Sequence, residues 1–262
     1  MWTRIVTGVG LAPLVVLLFL EGPLVLRAAV LIVAGAICLQ ELYAMALPDD
    51  ESPRRLERWA GVALGAGLLT SLYLRPDSNV GDIFPGVMIP ALLVVLKPDP
   101  IDRAGHRLFA LWAGIFWIVF PLGFAIQLAV LPQPWILFVL GVVWCGDTGA
   151  YFVGRAIGRH KLHPRVSPKK TIEGAFGGIA GSVGGAFALV AVLDLPIDPL
   201  ETVFVAVVGG AVAQLGDLTE SLVKRACGVK DSGAILPGHG GMLDRIDGVL
   251  LALPFFYLAL SR

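Results

Sequence analysis

The sequence has 262 residues, of which 56% are hydrophobic and 15% are charged, whereas soluble domains carry roughly a quarter charged residues. This composition excludes an ordinary soluble domain and predicts an all-α, polytopic integral membrane protein. The formal net charge is zero, so the bulk charge says nothing about partners, and electrostatic arguments depend on where the basic residues lie. We expect no nucleic-acid partner.

Apolar runs predict about nine transmembrane helices, since a helix needs roughly 20 apolar residues to cross the hydrocarbon core. The runs cover residues 4–20, 24–47, 59–74, 82–97, 108–130, 135–154, 172–193, 201–223 and 248–260. No small-x-small cleavage site follows the first run, so we expect a retained span and not a signal peptide. The first and last runs are short, which leaves eight or ten spans as alternatives.

The distribution of lysine and arginine predicts the orientation of these helices. Nine spans with the N-terminus inside place seventeen basic residues on one side and two, Arg75 and Arg262, on the other. Positively charged loops stay cytoplasmic, so the charged loops are predicted to face the cytoplasm. We expect residues 1–130 to form lipid-facing helices that bind the acceptor, and residues 131–262 to carry the catalytic loops.

The first polar segment is "WCGDTGAYFVGR", which places Asp147 within the sixth predicted span. Asp147 and Tyr151 are four residues apart and therefore share a helix face. An ionisable residue at membrane depth costs roughly 2.5–3.5 kcal/mol on insertion scales, which makes Asp147 a candidate functional residue. The alternative is a structural ion pair.

The second polar segment, "GRHKLHPRVSPKKTIEG", is rich in basic residues and contains no acid before Glu173. Such a segment suits a polyphosphate or an anionic lipid headgroup. Ser167 and Pro168, followed by Lys169, Lys170 and Thr171, are typical of a helix start, where backbone N–H groups also attract phosphate. The alternative is an ordinary positive-inside signal.

The third polar segment begins with "AQLGDLTESLVKR", where Asp217 and Ser221 share a helix face and Glu220 can pair with Lys224. This helix is predicted to end near Cys227, because the next residues are rich in glycine and proline. Irregular backbone at membrane depth occurs only inside protein or along a wet cavity, and the charges favour a cavity.

Asp244 and Asp247 lie three residues apart at the predicted start of the ninth helix. Carboxylate oxygens suit Mg²⁺, which keeps waters and takes phosphate oxygens as further ligands. With Asp217 or Asp231 they are able to form a one- or two-metal phosphoryl-transfer centre. The alternative is helix N-capping combined with an ion pair to Arg245.

The charged residues of the third segment form a specific pattern. Its members are Ser221, Lys224, Arg225, Lys230, Asp231, His239, Asp244, Arg245 and Asp247. This pattern, with "PGHGG" inside it, resembles the signature of the CDP-diacylglycerol synthases, also called phosphatidate cytidylyltransferases. The segments "GDTGAYFVGR" and "SPKKTIEG" are also similar to family motifs. His239 is a candidate general acid or base, a phosphate donor, or a loop hydrogen-bond partner.

The resemblance implies transfer of a cytidylyl group from CTP to phosphatidate with Mg²⁺, and with a second cation as an option. It implies Mg²⁺ ligands at Asp217, Asp244 and Asp247, with Asp231 as a further ligand or orienting group. Substrate contacts are expected from Lys224, Arg225, Lys230, Arg245, Ser221, Ser167, Lys169, Lys170, Thr171 and Asp147, the first four on the triphosphate. Lys169 and Lys170 would hold the lipid phosphate or the leaving pyrophosphate.

Three other interpretations remain open. A CTP-dependent kinase or cytidylyltransferase of an isoprenoid lipid is the nearest alternative. A membrane transporter would also explain Asp147 and Asp217 in glycine-interrupted helices, whereas a structural scaffold would leave the charges without a role. The small-residue run "GAFGGIAGSVGGAFA" predicts a tight helix seam and is compatible with a homodimer.

Overall fold

The computed structural model describes residues 13–47, 52–75, 84–98, 100–235 and 240–262, without the side chains of residues 52–55. Its elements are α1 (13–21), α2 (Leu24–Ala46), α3 (Ser52–Leu74), α4 (Phe84–Leu96), α5 (Ile101–Gly114), a π-helical segment (Ile115–Val119), α6 (Phe120–Val130), α7 (Trp135–Ile157), β1 (Lys161–His163), β2 (Ser167–Thr171), α8 (Ile172–Leu193), α9 (Pro199–Ala226) and α10 (Leu243–Leu260).

Within the described residues, a helix occupies every interval in which the sequence predicts one. The predominantly helical architecture is therefore confirmed. In the part of the chain that the structure describes, five helical stretches are long and apolar enough to cross a membrane, and one of them consists of α5, the π-helical segment and α6. The five stretches are Leu24–Ala46, Ile101–Val130, Trp135–Ile157, Ile172–Leu193 and Pro199–Ala226. The count of nine spans stays a prediction.

The chain divides into two compact units. Unit 1 contains residues 1–127 and 231–245, and unit 2 contains residues 128–230 and 246–262. The sequence-based division into a lipid-facing part, residues 1–130, and a catalytic part, residues 131–262, stays a prediction.

In unit 1, α2, α3 and α5 pack around the fully buried Tyr43. Its hydroxyl donates a hydrogen bond to the Leu111 carbonyl at 3.2 Å. Gly61 of α3 and Gly114 of α5 leave room for its ring, because a Cβ at either position would lie within 2.7 Å of Tyr43 atoms. The same unit contains a buried ion pair between Glu57 and Arg107.

In unit 2, α7 and α8 pack along a seam of small residues. A Cβ on Gly149 would lie 2.5 Å from the Gly177 carbonyl oxygen, and one on Gly181 would lie 2.5 Å from the Cys145 carbonyl oxygen. Ser182 extends the seam by donating a hydrogen bond to the Val142 carbonyl at 3.1 Å. The predicted tight seam is confirmed, and it joins two helices of one chain.

A small antiparallel hairpin, β1–β2, connects α7 to α8. The prediction of a helix start at Ser167–Pro168 was wrong, since residues 167–171 form a strand and α8 begins at Ile172. Pro168 is compatible with this strand because a two-stranded hairpin has only edge strands, where the missing N–H costs little. Thr171 instead caps α8 by accepting a hydrogen bond from the Gly174 N–H at 3.1 Å.

Glu173, in the first turn of α8, ties the hairpin to the helix. Its carboxylate accepts the backbone N–H groups of Arg159 and His160 at 3.1 and 3.2 Å. His160 Nδ1 lies 2.6 Å from the same carboxylate. These contacts hold one end of the hairpin at the start of α8 and so restrict where the lysines of β2 lie.

Candidate active site

The candidate site in unit 2 is built where α9 and α10 touch backbone to backbone. A Cβ on Gly216 would lie 2.7 Å from the Asp247 carbonyl oxygen and 3.0 Å from the Gly248 Cα. A Cβ on Gly248 would lie 2.9 Å from the Ala213 carbonyl oxygen. Because glycine occupies both positions, the helices approach closely, and Asp217 and Asp247 lie beside their point of contact.

Charged groups converge around Asp247. Its carboxylate lies within electrostatic range of Asp217, Lys224 and Asp147. Three acidic groups predicted from separate segments of the sequence are thereby brought together. Such a cluster of like charges requires compensation by cations, and lysines supply part of it.

Lys170 of β2 reaches Asp217 of α9, with 2.5 Å between Nζ and Oδ2. The two side chains are only partly exposed, 27% for Lys170 and 36% for Asp217. The hairpin therefore places a lysine, predicted to bind phosphate, directly on a carboxylate predicted to bind Mg²⁺. An incoming cation or phosphate would compete with this ion pair.

Lys224 forms the ion pair with Glu220 that their four-residue spacing on α9 predicts. Glu220 is fully buried, and Lys224 is 9% exposed. A charge held at this depth keeps a defined position because leaving its partner would cost several kcal/mol. Lys224 is thus a fixed positive charge close to Asp247.

Asp244 lies in unit 1, in the first turn of α10. Its Oδ2 atom accepts hydrogen bonds from the Ser232 N–H, the Ser232 hydroxyl and the Gly241 N–H at 2.9, 2.9 and 2.8 Å. Gly240 adopts φ +79°, and a Cβ there would lie 2.7 Å from the same oxygen. Asp244 therefore fixes the backbone at Ser232 and at Gly241, which lie on either side of the glycine-rich loop of the predicted signature.

The remaining predicted site residues lie mainly at the surface. Lys169, Asp147, Arg225, Lys230, Asp231 and Arg245 are exposed, and Ser167 and Ser221 are half-buried. Arg225 donates a hydrogen bond to the Val229 carbonyl at 3.0 Å, just after α9 ends as predicted. The Thr171 hydroxyl accepts the cap bond of α8, a structural role that the sequence did not indicate. His239 lies outside the described residues.

Within the described residues, no group of three or more His, Cys, Asp or Glu side chains has the arrangement of a complete protein metal site. Mg²⁺ is usually bound by one or two carboxylates together with waters and substrate phosphates. The neighbouring carboxylates of Asp217 and Asp247 fit that requirement. The donor set of unit 2 is therefore compatible with Mg²⁺ bound together with a nucleotide.

The sequence interpretation missed one residue that contacts the signature segment, residues 221–247. Glu41, on the apolar helix α2, is 6% exposed and accepts hydrogen bonds from the loop before α10 and from the start of that helix. The signal that would have found it is a lone carboxylate in the apolar run "AGAICLQELYAMA".

Sequence comparison relates the chain to known proteins. A sequence model of the cytidylyltransferase family matches residues 2–262. The chain belongs to the cytidylyltransferase family. Its membership and its long apolar helices together make it an integral membrane protein.

Several relatives are named phosphatidate cytidylyltransferase. The one from Staphylococcus epidermidis is 49% identical over 128 residues, covering 49% of each chain. The Bacillus subtilis relative is 46% identical over 127 residues, covering 48% of this chain and 47% of the relative. The Brucella suis relative is 44% identical over 152 residues, covering 56% and 55%. This family member thus spans about half the length of the curated relatives it matches.

Proposed function

We propose that this protein transfers the cytidylyl group from CTP to phosphatidate, which yields CDP-diacylglycerol and pyrophosphate. The observation that carries the proposal is the convergence of Asp217, Asp247, Lys170 and Lys224 in unit 2 of a cytidylyltransferase-family chain. Relatives named phosphatidate cytidylyltransferase support phosphatidate as the acceptor.

The reaction requires no covalent enzyme intermediate. An oxygen of the lipid phosphate attacks the α-phosphorus of CTP, and a new P–O bond forms in line with the bond that breaks. The bond between the α-phosphorus and the oxygen bridging to the β-phosphate is cleaved, and that oxygen leaves with pyrophosphate. Catalysis then consists of positioning two anionic substrates and neutralising the charge that develops.

Lysines of unit 2 would neutralise the phosphates. Lys170 is held by the hairpin and Lys224 by Glu220, so both offer a positive charge in a restricted position. We assign Lys224, with Arg225, Lys230 and Arg245, to the triphosphate of CTP. Lys170 and Lys169 would contact the lipid phosphate or the leaving pyrophosphate, and Lys170 would exchange Asp217 for that phosphate.

Asp217 and Asp247 are the residues that would hold Mg²⁺. When bound, the ion would neutralise phosphate oxygens and fix their orientation. The role of Asp244 as a further ligand rests on the sequence signature alone, as does that of Asp231. A second cation stays a prediction.

The proposed site faces the cytoplasm, because the basic hairpin and the other charged loops follow the positive-inside pattern. The acceptor lipid would enter from the surrounding bilayer, on whose surface phosphatidate carries its phosphate. A homodimer stays a prediction, and the small residues that suggested it are used within the chain between α7 and α8.

The test is pyrophosphate release from CTP by purified protein in lipid nanodiscs with Mg²⁺, comparing phosphatidate, an isoprenyl alcohol and no added lipid. Release that requires phosphatidate, with CDP-diacylglycerol detected by mass spectrometry, is the expected result. Asp217→Asn should abolish that release while the protein remains folded. Cytidylylation or phosphorylation of the isoprenyl alcohol alone would overturn the choice of acceptor. If folded protein supplied with Mg²⁺ releases no pyrophosphate with any of the lipids, the proposal is refuted and a membrane transporter becomes the favoured interpretation.

A further inference from the structure

Glu41 makes an unusual set of contacts for a carboxylate in an apolar helix. Its Oε1 accepts a hydrogen bond from the Met242 N–H at 2.9 Å, and its Oε2 accepts one from the Leu243 N–H at 2.8 Å. The Ser232 hydroxyl lies 3.1 Å from Oε2. All these donors belong to residues 232–243, more than 190 positions away in the sequence.

The geometry points to Glu41 as a positioning residue that holds the glycine-rich segment and the start of α10 in their active arrangement. This inference rests on the proposed function, because the segment carries Asp244, a predicted catalytic residue. Met242 and Leu243 lie at the beginning of α10, where backbone N–H groups have no partner within the helix. A carboxylate there also interacts favourably with the helix dipole.

Ser232 connects Glu41 to Asp244. Its hydroxyl lies 3.1 Å from Glu41 Oε2 and 2.9 Å from Asp244 Oδ2. The single hydroxyl proton is therefore within hydrogen-bonding distance of both carboxylates. The Ser232 N–H also donates to Asp244 at 2.9 Å. A displacement of Glu41 would therefore move Asp244 in two ways, through the side chain of Ser232 and through the backbone of α10.

The surrounding residues are shaped to admit the Glu41 carboxylate. A Cβ on Gly233 would lie 2.5 Å from Oε1, and a Cβ on Gly241 would lie 2.5 Å from Oε2. Two glycines of the signature segment thus leave the space in which Glu41 binds. This fit explains a need for glycine at these positions that does not involve a positive φ.

The charge of Glu41 is essential to this arrangement. Both carboxylate oxygens accept hydrogen bonds, and hydrogen bonds to a charged acceptor are roughly twice as strong as neutral ones. Glutamine at this position retains one acceptor oxygen and turns an NH₂ donor towards a backbone N–H donor. Glu41→Gln therefore preserves the size of the side chain while it breaks one of the two hydrogen bonds from the backbone N–H groups of Met242 and Leu243.

The experiment compares Glu41→Gln with Glu57→Gln. Both residues are 6% exposed carboxylates of unit 1, but Glu57 forms its ion pair with Arg107 of α5. Two quantities are measured for each variant: amide hydrogen exchange at Met242 and Leu243, and kcat and KM for CTP per folded molecule. Exchange reports on the Glu41 bonds whether or not the protein turns over CTP.

We expect Glu41→Gln to speed exchange at Met242 and Leu243 and to lower kcat roughly 10- to 100-fold, the effect of a displacement approaching 1 Å. Glu57→Gln should lower the thermal midpoint but leave both quantities unchanged. If Glu41→Gln does not fold, Ser232→Ala tests the same connection and should lower kcat in the same direction.

Faster exchange with unchanged kcat would overturn the positioning role and leave Glu41 as a structural anchor. Equal losses of kcat in Glu41→Gln and Glu57→Gln would also overturn it, because general destabilisation would explain both. Wild-type protein that consumes no CTP would refute the proposed function instead, a result that the exchange measurement keeps separate from the Glu41 contacts.

Discussion

Replacement of Gly216 by alanine tests whether the close approach of α9 and α10 organises the site. The added Cβ would lie 2.7 Å from the Asp247 carbonyl oxygen, whereas ordinary contacts begin near 3.4 Å. The helices must then separate by about 0.7 Å, since the obstructing atoms belong to the backbone and have no rotamer to change. The separation moves Asp217 relative to Asp247.

The effect on activity should exceed the effect on stability. Overpacking costs typically 1–3 kcal/mol, but alanine stabilises a helix interior by roughly 1 kcal/mol relative to glycine, so about 0–2 kcal/mol of stability is lost. A 1 Å misplacement at a reacting centre is able to cost about 100-fold in rate. We therefore expect kcat for CTP-dependent pyrophosphate release to fall roughly 10- to 100-fold in a folded protein.

Gly184→Ala provides the matched control, because Gly184 lies in α8 of the same unit. Apart from the backbone of α8 itself, no atom of the described residues lies within 4 Å of its Cβ position. This variant should have wild-type kcat and equal or slightly higher thermal stability. The assay measures pyrophosphate release in nanodiscs at saturating CTP and phosphatidate, with folding checked by circular dichroism and size-exclusion chromatography. Wild-type kcat in folded Gly216→Ala protein would refute the claim that this contact organises the site.

Three further substitutions test other residues predicted from the sequence. Asp244→Asn should lower turnover by at least about 100-fold without unfolding, because the amide oxygen still accepts the loop hydrogen bonds; a fully active variant would contradict the role of Asp244 as a further Mg²⁺ ligand. Lys224→Met should destabilise the protein by about 3–5 kcal/mol in chemical denaturation, because the buried Glu220 loses the cation that forms its ion pair. The added Glu220→Gln change should restore most of that loss, and equal stability of the single and double variants would contradict this role of the ion pair. Thr171→Ala should cost about 0.5–2 kcal/mol of unfolding free energy through loss of the α8 cap, and Thr171→Ser should not; an equal loss in both would show that the hydroxyl cap is not the cause.

The sequence indicated the membrane class and the positions of the helices because both depend on local properties of the chain. A run of about 20 apolar residues has few alternatives to a membrane helix, since lipid offers no partner for unpaired backbone groups. The Glu220–Lys224 pair and the end of α9 near Cys227 were predictable for the same reason. Helical spacing brings the pair together, and glycine with φ +72° at residue 228 follows the helix end.

The hairpin was not predictable by the same reasoning. Serine followed by proline is typical of a helix start. In the structure, however, this segment forms β2 and pairs with β1, so the helix begins only at Ile172. The competing preferences differ little locally, so tertiary contacts at Glu173 and Thr171 decide between them. The Lys170–Asp217 ion pair depends on that hairpin, so it was not predictable from the sequence either.

What the sequence determined by itself was the inventory of charged residues, the helices that carry them and the resemblance of the signature segment to one family. What only the tertiary structure decided was which charges meet. Asp217 and Asp247 are brought together by a glycine contact between two helices, and Glu41 reaches Met242 and Leu243 across some 200 residues of sequence. Local spacing determines neighbours along one helix, but contacts between distant segments depend on packing, which a single sequence does not display.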